Sequence, residues 1–117
     1  MKPTEEELLR NLAGFTGTEH YYNYGALKLT DGIKYMADNC HSYWLLDAIC
    51  SYQPELKGKP SFQIWKLEVK DSKAILTMQE DSDQPILVRQ DIDFTDFPLP
   101  EIELWLIDGV LILPSEY

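Results

Sequence analysis

The sequence predicts an α+β domain. Its antiparallel sheet has four to five strands, with helices over residues 31–53 packed on one face and a short N-terminal helix or a partner chain on the other. Helical periodicity with capping signals dominates the first half. From residue 61 the pattern changes to alternation with period two, the spacing of a half-buried strand. Near the end, Leu104–Leu113 reads as a hairpin around Asp108-Gly109 whose two faces are both apolar.

The helices come first. Thr4-Glu5-Glu6-Glu7 has the form of a capping box, and its three glutamates suit the positive end of the helix dipole. Leu8, Leu9, Leu12 and Ala13 share one face, which gives a helix from about 4 to 13 with Gly14 as its stop. Residues 18–29 are rich in aromatics and hold a short strand before Gly25. Thr30 or Asp31 caps a second helix carrying Ile33, Met36, Ala37 and Cys40. Asn39 and His41-Ser42 break it before a third, Tyr43–Gln53, which buries Leu45, Leu46, Ile49 and Cys50 and ends at Pro54.

Strands follow a loop over 55–60. Ser61–Lys70 puts Trp65, Leu67 and Val69 on one face, while Phe62 and Ile64 fall in the opposite phase and suggest a bulge or an end covered on both sides. Asp71-Ser72-Lys73 turns the chain into a second strand, Ala74–Gln79. The next strand begins at Pro85. It sets Ile86, Val88, Ile92 and Phe94 against Arg89, Asp91 and Asp93. In the terminal hairpin Ile107 pairs with Val110, Leu106 with Leu111, Trp105 with Ile112 and Leu104 with Leu113. Alternation sends Trp105, Ile107, Val110 and Ile112 to one face and the other four residues to the opposite one. The helices over 31–53 cover one of these faces. The Trp105 face needs a second cover, from the N-terminal helix or from another chain.

A chain of 117 residues, 44% hydrophobic and 12% aromatic, is one domain's worth and is no disordered acidic tail. It is expected to be a single domain over 1–117, with 1–14 as a helical extension. The apolar runs are short of a membrane span and the N-terminus lacks the core of a signal peptide, so a cytoplasmic protein is expected. The net charge of −10 is unevenly spread. Residues 1–79 hold ten acids and nine bases, whereas residues 80–117 hold ten acids and one base, Arg89. Such a surface repels nucleic-acid phosphates and anionic lipid and attracts cationic partners.

Catalytic signatures are weak. Asp91-Ile92-Asp93-Phe94-Thr95 matches the D-x-D-x-T string of aspartyl-phosphate phosphotransferases, but that chemistry needs magnesium ligands and a lysine from later strands, and only about 20 residues follow, none of them lysine. A calcium loop starting there lacks its glycine and distal glutamate. His20, His41, Cys40 and Cys50 have no zinc spacing, and the two cysteines read as buried thiols. No metal, cofactor or catalytic residue is expected. Lys57, Lys59, Lys66, Lys70 and Lys73 precede the acidic third, and cross-strand neutralisation is their simplest role.

Several strings share a likeness: Tyr43-Trp44-Leu45-Leu46-Asp47, Phe62-Gln63-Ile64-Trp65-Lys66-Leu67, Thr95-Asp96-Phe97-Pro98-Leu99, and Asp108 through Tyr117. Together the chain from about residue 15 onward resembles a family of short, uncharacterised bacterial proteins found on plasmids, phages and other mobile elements. Met1–Ala13 is the least family-like part. The resemblance implies no activity and no catalytic residues, and its setting adds weight to a host-interaction or anti-defence role.

The expected function is therefore a non-enzymatic protein-binding module. Asp91, Asp93, Glu101 and Glu103, beside Trp105 and Ile107, would engage a protein with a basic surface. An inhibitor of a nucleic-acid-handling or defence complex is one concrete version. Direct nucleic-acid or membrane binding is not expected, and a homodimer is an alternative occupant of the apolar face. The competing expectation is a small enzyme or ligand-binding protein with a pocket between helices and sheet, lined by His20, Tyr22, His41 and Asp47.

Overall fold

The computed structural model describes residues 4–56 and 61–117. The first helix, α1 (Glu5–Ala13), starts at the expected capping box: Glu7 N–H donates to the Thr4 hydroxyl at 3.1 Å and the Glu7 carboxylate accepts from Thr4 N–H at 3.3 Å. Gly14 closes it in a right-handed conformation, φ −77°, so the stop does not draw on a glycine's freedom. A small hairpin follows, β1 (Tyr22–Tyr24) and β2 (Leu27–Leu29), turning at Gly25 with φ +57°. Next come α2 (Asp31–Asn39), capped by the Thr30 hydroxyl, and α3 (Tyr43–Leu56), with His41 in the left-handed region between them. Pro54 lies inside the last turn of α3 and does not end it at Gln53. The expected loop over 55–60 therefore begins later, and its residues 57–60 lie outside the described residues, as do Lys57 and Lys59.

The second half is all strand: β3 (Phe62–Lys70), β4 (Lys73–Gln79), β5 (Ile86–Ile92), β6 (Glu101–Ile107) and β7 (Val110–Ile112), then a 3-10 turn at Pro114–Glu116. Among the described residues seven strands form one sheet in the order β1-β2-β7-β6-β3-β4-β5. All neighbours are antiparallel except β2 and β7, so the sheet is mixed, not the antiparallel four to five strands expected. The two extra strands are three residues each, too short for alternation to register. β2 runs straight into the cap of α2 and lies parallel beside β7.

Turn chemistry sets the hairpins. Asp71 and Ser72 both adopt positive φ (55° and 61°), as do Asp108 and Gly109 (50° and 83°), the paired left-handed geometry that matches strand twist. The terminal ribbon has the expected register for Ile107–Val110, Leu106–Leu111 and Trp105–Ile112, and β7 stops before Leu113. Phe62 and Ile64 pair without interruption, opposite Ile107 and Trp105, so β3 carries no bulge. The irregularity falls between β4 and β5 at Met78/Gln79. Beside it Ile86 is exposed, and past the strand's other end Phe94 is exposed too, so neither shares the core with Val88 as expected.

One face of the sheet holds the core. Trp65, Leu67, Leu76, Met78, Leu104, Leu106 and Leu111 meet Ile33, Met36 and Ala37 of α2 and Leu45, Leu46 and Ile49 of α3 in one buried cluster. Burial at this density accounts for most of what a helix–sheet layer gains on folding. A polar bridge crosses it: the Gln53 and Gln63 amides exchange hydrogen bonds at 3.1 and 3.0 Å, and the Trp65 indole N–H donates to Gln63 at 2.9 Å. Leu8 and Leu12 of α1 belong to the same cluster, and Asn11 donates to the Tyr35 hydroxyl of α2 at 2.8 Å. The N-terminal helix thus extends the helical layer and does not cover the Trp105 face. The connection from β5 to β6 returns under the same layer. Phe97 and Leu99 are buried, while Thr95 N–H donates to Ser72 O and Val69 N–H to Pro100 O, both at 2.8 Å. No helix among the described residues is long and apolar enough to cross a membrane.

The chain end is tied back to α2. The Glu116 carboxylate accepts from Gly32 N–H (3.1 Å), the Thr30 hydroxyl (2.6 Å) and Leu113 N–H (2.9 Å), an anion at a helix N-terminus. A Cβ on Gly32 would stand 2.6 Å from that carboxylate and from the Leu113 methyl. Gly32→Ala and Glu116→Ala should therefore each lower stability by about 1–2 kcal/mol in urea denaturation. Because both break one contact, the double variant should lose less than the two losses added. Full additivity, or no loss from either, would contradict the tether.

Candidate functional site

The face of the sheet turned away from the helices carries the candidate site. Alternation along β6 puts Glu101, Glu103, Trp105 and Ile107 on that side, and their cross-strand partners are Glu68, Lys66, Ile64 and Phe62 of β3. Val110 and Ile112 of β7 continue the row opposite Ile107 and Trp105. None of these apolar residues belongs to the buried core cluster; Ile112 is nevertheless buried, and Phe62, Ile64, Trp105, Ile107 and Val110 are partly buried. Their cover comes from one another. The Phe62 and Trp105 rings lie 5.4 Å apart, and the exposed Tyr117 ring stands edge-on to Trp105 at 5.4 Å. Such tilted contacts suit aromatic quadrupoles and hold the rings as a rigid group. The Trp105 indole N–H has no hydrogen-bond partner among the described residues, unlike that of Trp65 on the other face.

Charge borders the apolar patch. Lys66 sits 3.8 Å from Glu101 and 4.0 Å from Glu68, so two carboxylates share one ammonium group, and its register partner Glu103 has no ion pair among the described residues. All are solvated, and ion pairs of this kind add little to stability. Their excess negative charge faces outward instead. Lysine neutralises part of the acidic strand, as the alternation suggested, but not all of it.

Four of the six expected contact residues thus converge: Glu101, Glu103, Trp105 and Ile107. Asp91 lies on the same face but on β5, with β3 and β4 in between, and pairs with Arg89 at 3.3 Å. Asp93 lies beyond the end of β5. Both acids line a separate cleft of about 620 Å³ with Glu68, Lys70, Lys73 and Ile75. The sequence pattern missed Phe62, Ile64 and Tyr117. The phase change at Phe62 and Ile64 was their signal, whereas nothing local marks the fold-back of Tyr117.

The alternative pocket residues fall into separate contacts. The Tyr22 hydroxyl donates to Asp31 at 3.0 Å, with the His20 ring 3.8 Å from the same carboxylate and mostly solvated. Asp47 instead accepts from the Tyr24 hydroxyl, a bond that pushes the Tyr24 phenol up to about 12. His41 stands exposed in the turn between α2 and α3. Cys40 is buried, and burial pushes its thiol up to about 11, which makes it a poor nucleophile; Cys50 is only half-buried. The D-x-D-x-T string opens on an antiparallel edge strand. Among the described residues no group of three histidines, cysteines or acids is arranged to hold a metal.

These features define an α+β domain with one layered face and one open face. The chain belongs to the family of unknown function DUF6876, whose sequence model matches residues 6–117. The match takes in nearly all of α1, so the N-terminal helix is part of the family's pattern and not an extension foreign to it. No curated protein and no solved structure matches the chain.

The carboxylate of Asp31 gives a pH test of the β1–α2 corner. The Glu19 N–H at 3.0 Å, with help from the Tyr22 and Thr18 hydroxyls, holds it below the ordinary aspartate range. A carboxyl lowered in the folded state stabilises the protein above its ordinary pKa, and the effect is lost as pH falls through the folded value. Asp31→Asn should thus lower the melting temperature at neutral pH, with the difference from wild type shrinking in strong acid. An equal difference at both pH values would contradict the assignment.

Proposed function

We propose that this protein is a non-enzymatic docking module whose contact surface is the open sheet face. Its partner is a protein that presents an apolar knob framed by basic side chains. The observation that carries this reading is the aromatic and aliphatic patch of Phe62, Ile64, Trp105, Ile107 and Val110 lying outside the core, directly beside Glu101 and Glu103. Apolar anchors surrounded by charge supply affinity at the centre and approach rate at the rim. Asp91 and Asp93, across the sheet, are not needed for this contact. An inhibitor of a host nucleic-acid-handling or defence complex, carried on a mobile element and acting in the cytoplasm, is the concrete form of the proposal. Such complexes expose the basic surfaces that an acidic module attracts.

Site-specific crosslinking tests it. A photo-reactive residue replacing Ile107 should capture a partner in the native host, and the same residue replacing Glu19 on the helical side should not. Ile64→Lys with Ile107→Lys should abolish capture without unfolding the chain. Glu101→Gln with Glu103→Gln should slow association with the captured partner and flatten its salt dependence. Capture that survives the lysine pair would place the contact elsewhere.

A further inference from the structure

The outer edge of β5 is a second surface, distinct from the open face. β5 ends the sheet, so its outward N–H and C=O groups have no partner strand among the described residues. Neither proline nor lysine, two usual guards of such an edge, occurs within Ile86–Ile92. The register shift falls at the Ile86 end and leaves Val88–Ile92 regular. At either end of that stretch the chain exposes large apolar side chains, Ile86 (55%), Leu87 (47%) and Phe94 (74%).

We infer that β5 pairs antiparallel with β5 of a second copy of this chain, about a two-fold axis through Gln90. Residues facing each other across such an axis must share a face of the continuous sheet, so the axis passes through a residue and not between two. An axis at Arg89 or Asp91 sets that charge against itself, which is destabilising. One at Val88 sets Asp91 against Pro85, which has no N–H to offer, and one at Ile92 sets Asp91 against Asp93. The axis at Gln90 avoids these clashes within the regular stretch Val88–Ile92, and only past it does Leu87 face Asp93. Arg89 meets Asp91 of the second copy on the open side, and Val88 meets its Ile92 on the helical side. The same geometry brings the Ile86–Leu87 end of one strand to the Phe94 end of the other, covering the apolar groups that β5 leaves in water. The pair that Arg89 and Asp91 form within one chain at 3.3 Å is then exchanged between copies. Two seven-stranded sheets become one, and both open faces point the same way.

Charge exchange tests the register. Wild-type protein should move toward twice its 13.6 kDa as concentration rises in analytical ultracentrifugation. Arg89→Asp and Asp91→Arg each set two like-charge contacts across the axis and should weaken self-association by about tenfold or more. Both sites are exposed, at 61% and 71%, so the variants should keep the wild-type circular dichroism. Mixing the two variants should restore association as a heterodimer, and the double variant should dimerise by itself. Trp105→Ala should leave dimerisation unchanged, which separates this surface from the open face. A chain that stays monomeric at millimolar concentration, a dimer indifferent to both charge reversals, or the absence of a heterodimer on mixing would each overturn the proposal.

Discussion

The two-residue turn at Asp108-Gly109 constrains the rest of the molecule. With both residues in the left-handed region, it locks Leu106 opposite Leu111 and Trp105 opposite Ile112. A strand alternates its side chains, so a ribbon built from an unbroken apolar run carries apolar groups on both sides. β3 inherits the same condition where it pairs with β6, because Phe62 and Ile64 stand opposite Ile107 and Trp105. A slip of one residue would exchange the faces without removing the problem. The sheet therefore has two sides that prefer to leave water.

The chain's helices meet that demand on one side only. α2 and α3 lie across Trp65, Leu67, Leu104 and Leu106, α1 extends their layer through Leu8 and Leu12, and the β5–β6 connection adds Phe97 and Leu99 from below. On the other side the cover among the described residues is a cluster of side chains, Phe62, Trp105 and Tyr117, stacked on themselves. Glu116 anchors the terminal turn that delivers Tyr117, and Gly32 leaves room for its carboxylate. This difference between the sides separates the two roles of the sheet. The helical side provides stability, and the open side is left for contact.

Legibility followed the strength of local signals. The capping box at Thr4, the cap at Thr30, one of the two residues the sequence offered, the break at His41 and the hairpin at Asp108 are all short-range chemistry, and each occurs where local signals pointed. Pro54 shows the limit of such rules, since a proline within the last turn of a helix need not stop it. The β1–β2 hairpin was half visible, because Gly25 marked the turn while three-residue strands hold no periodicity. Beyond the hairpins, strand order was not legible. That β2 lies beside β7, and that α1 joins α2, depends on contacts between distant segments such as Asn11 with Tyr35. For the same reason the site was only partly seen. Glu101, Glu103, Trp105 and Ile107 share one strand and could be grouped by alternation, whereas Asp91 and Asp93 needed the strand order to be set apart from them.

In a lone chain the Trp105 side of the sheet meets water and the Leu106 side does not. Methyl NMR with a soluble paramagnetic probe, on protein dilute enough to be monomeric, reads both sides at once. Ile64, Ile107 and Val110 should lose intensity strongly, and Leu104, Leu106 and Leu111 should keep theirs. Equal protection of the two sets would mean that something in the single chain already covers the open face, and the docking surface would not exist.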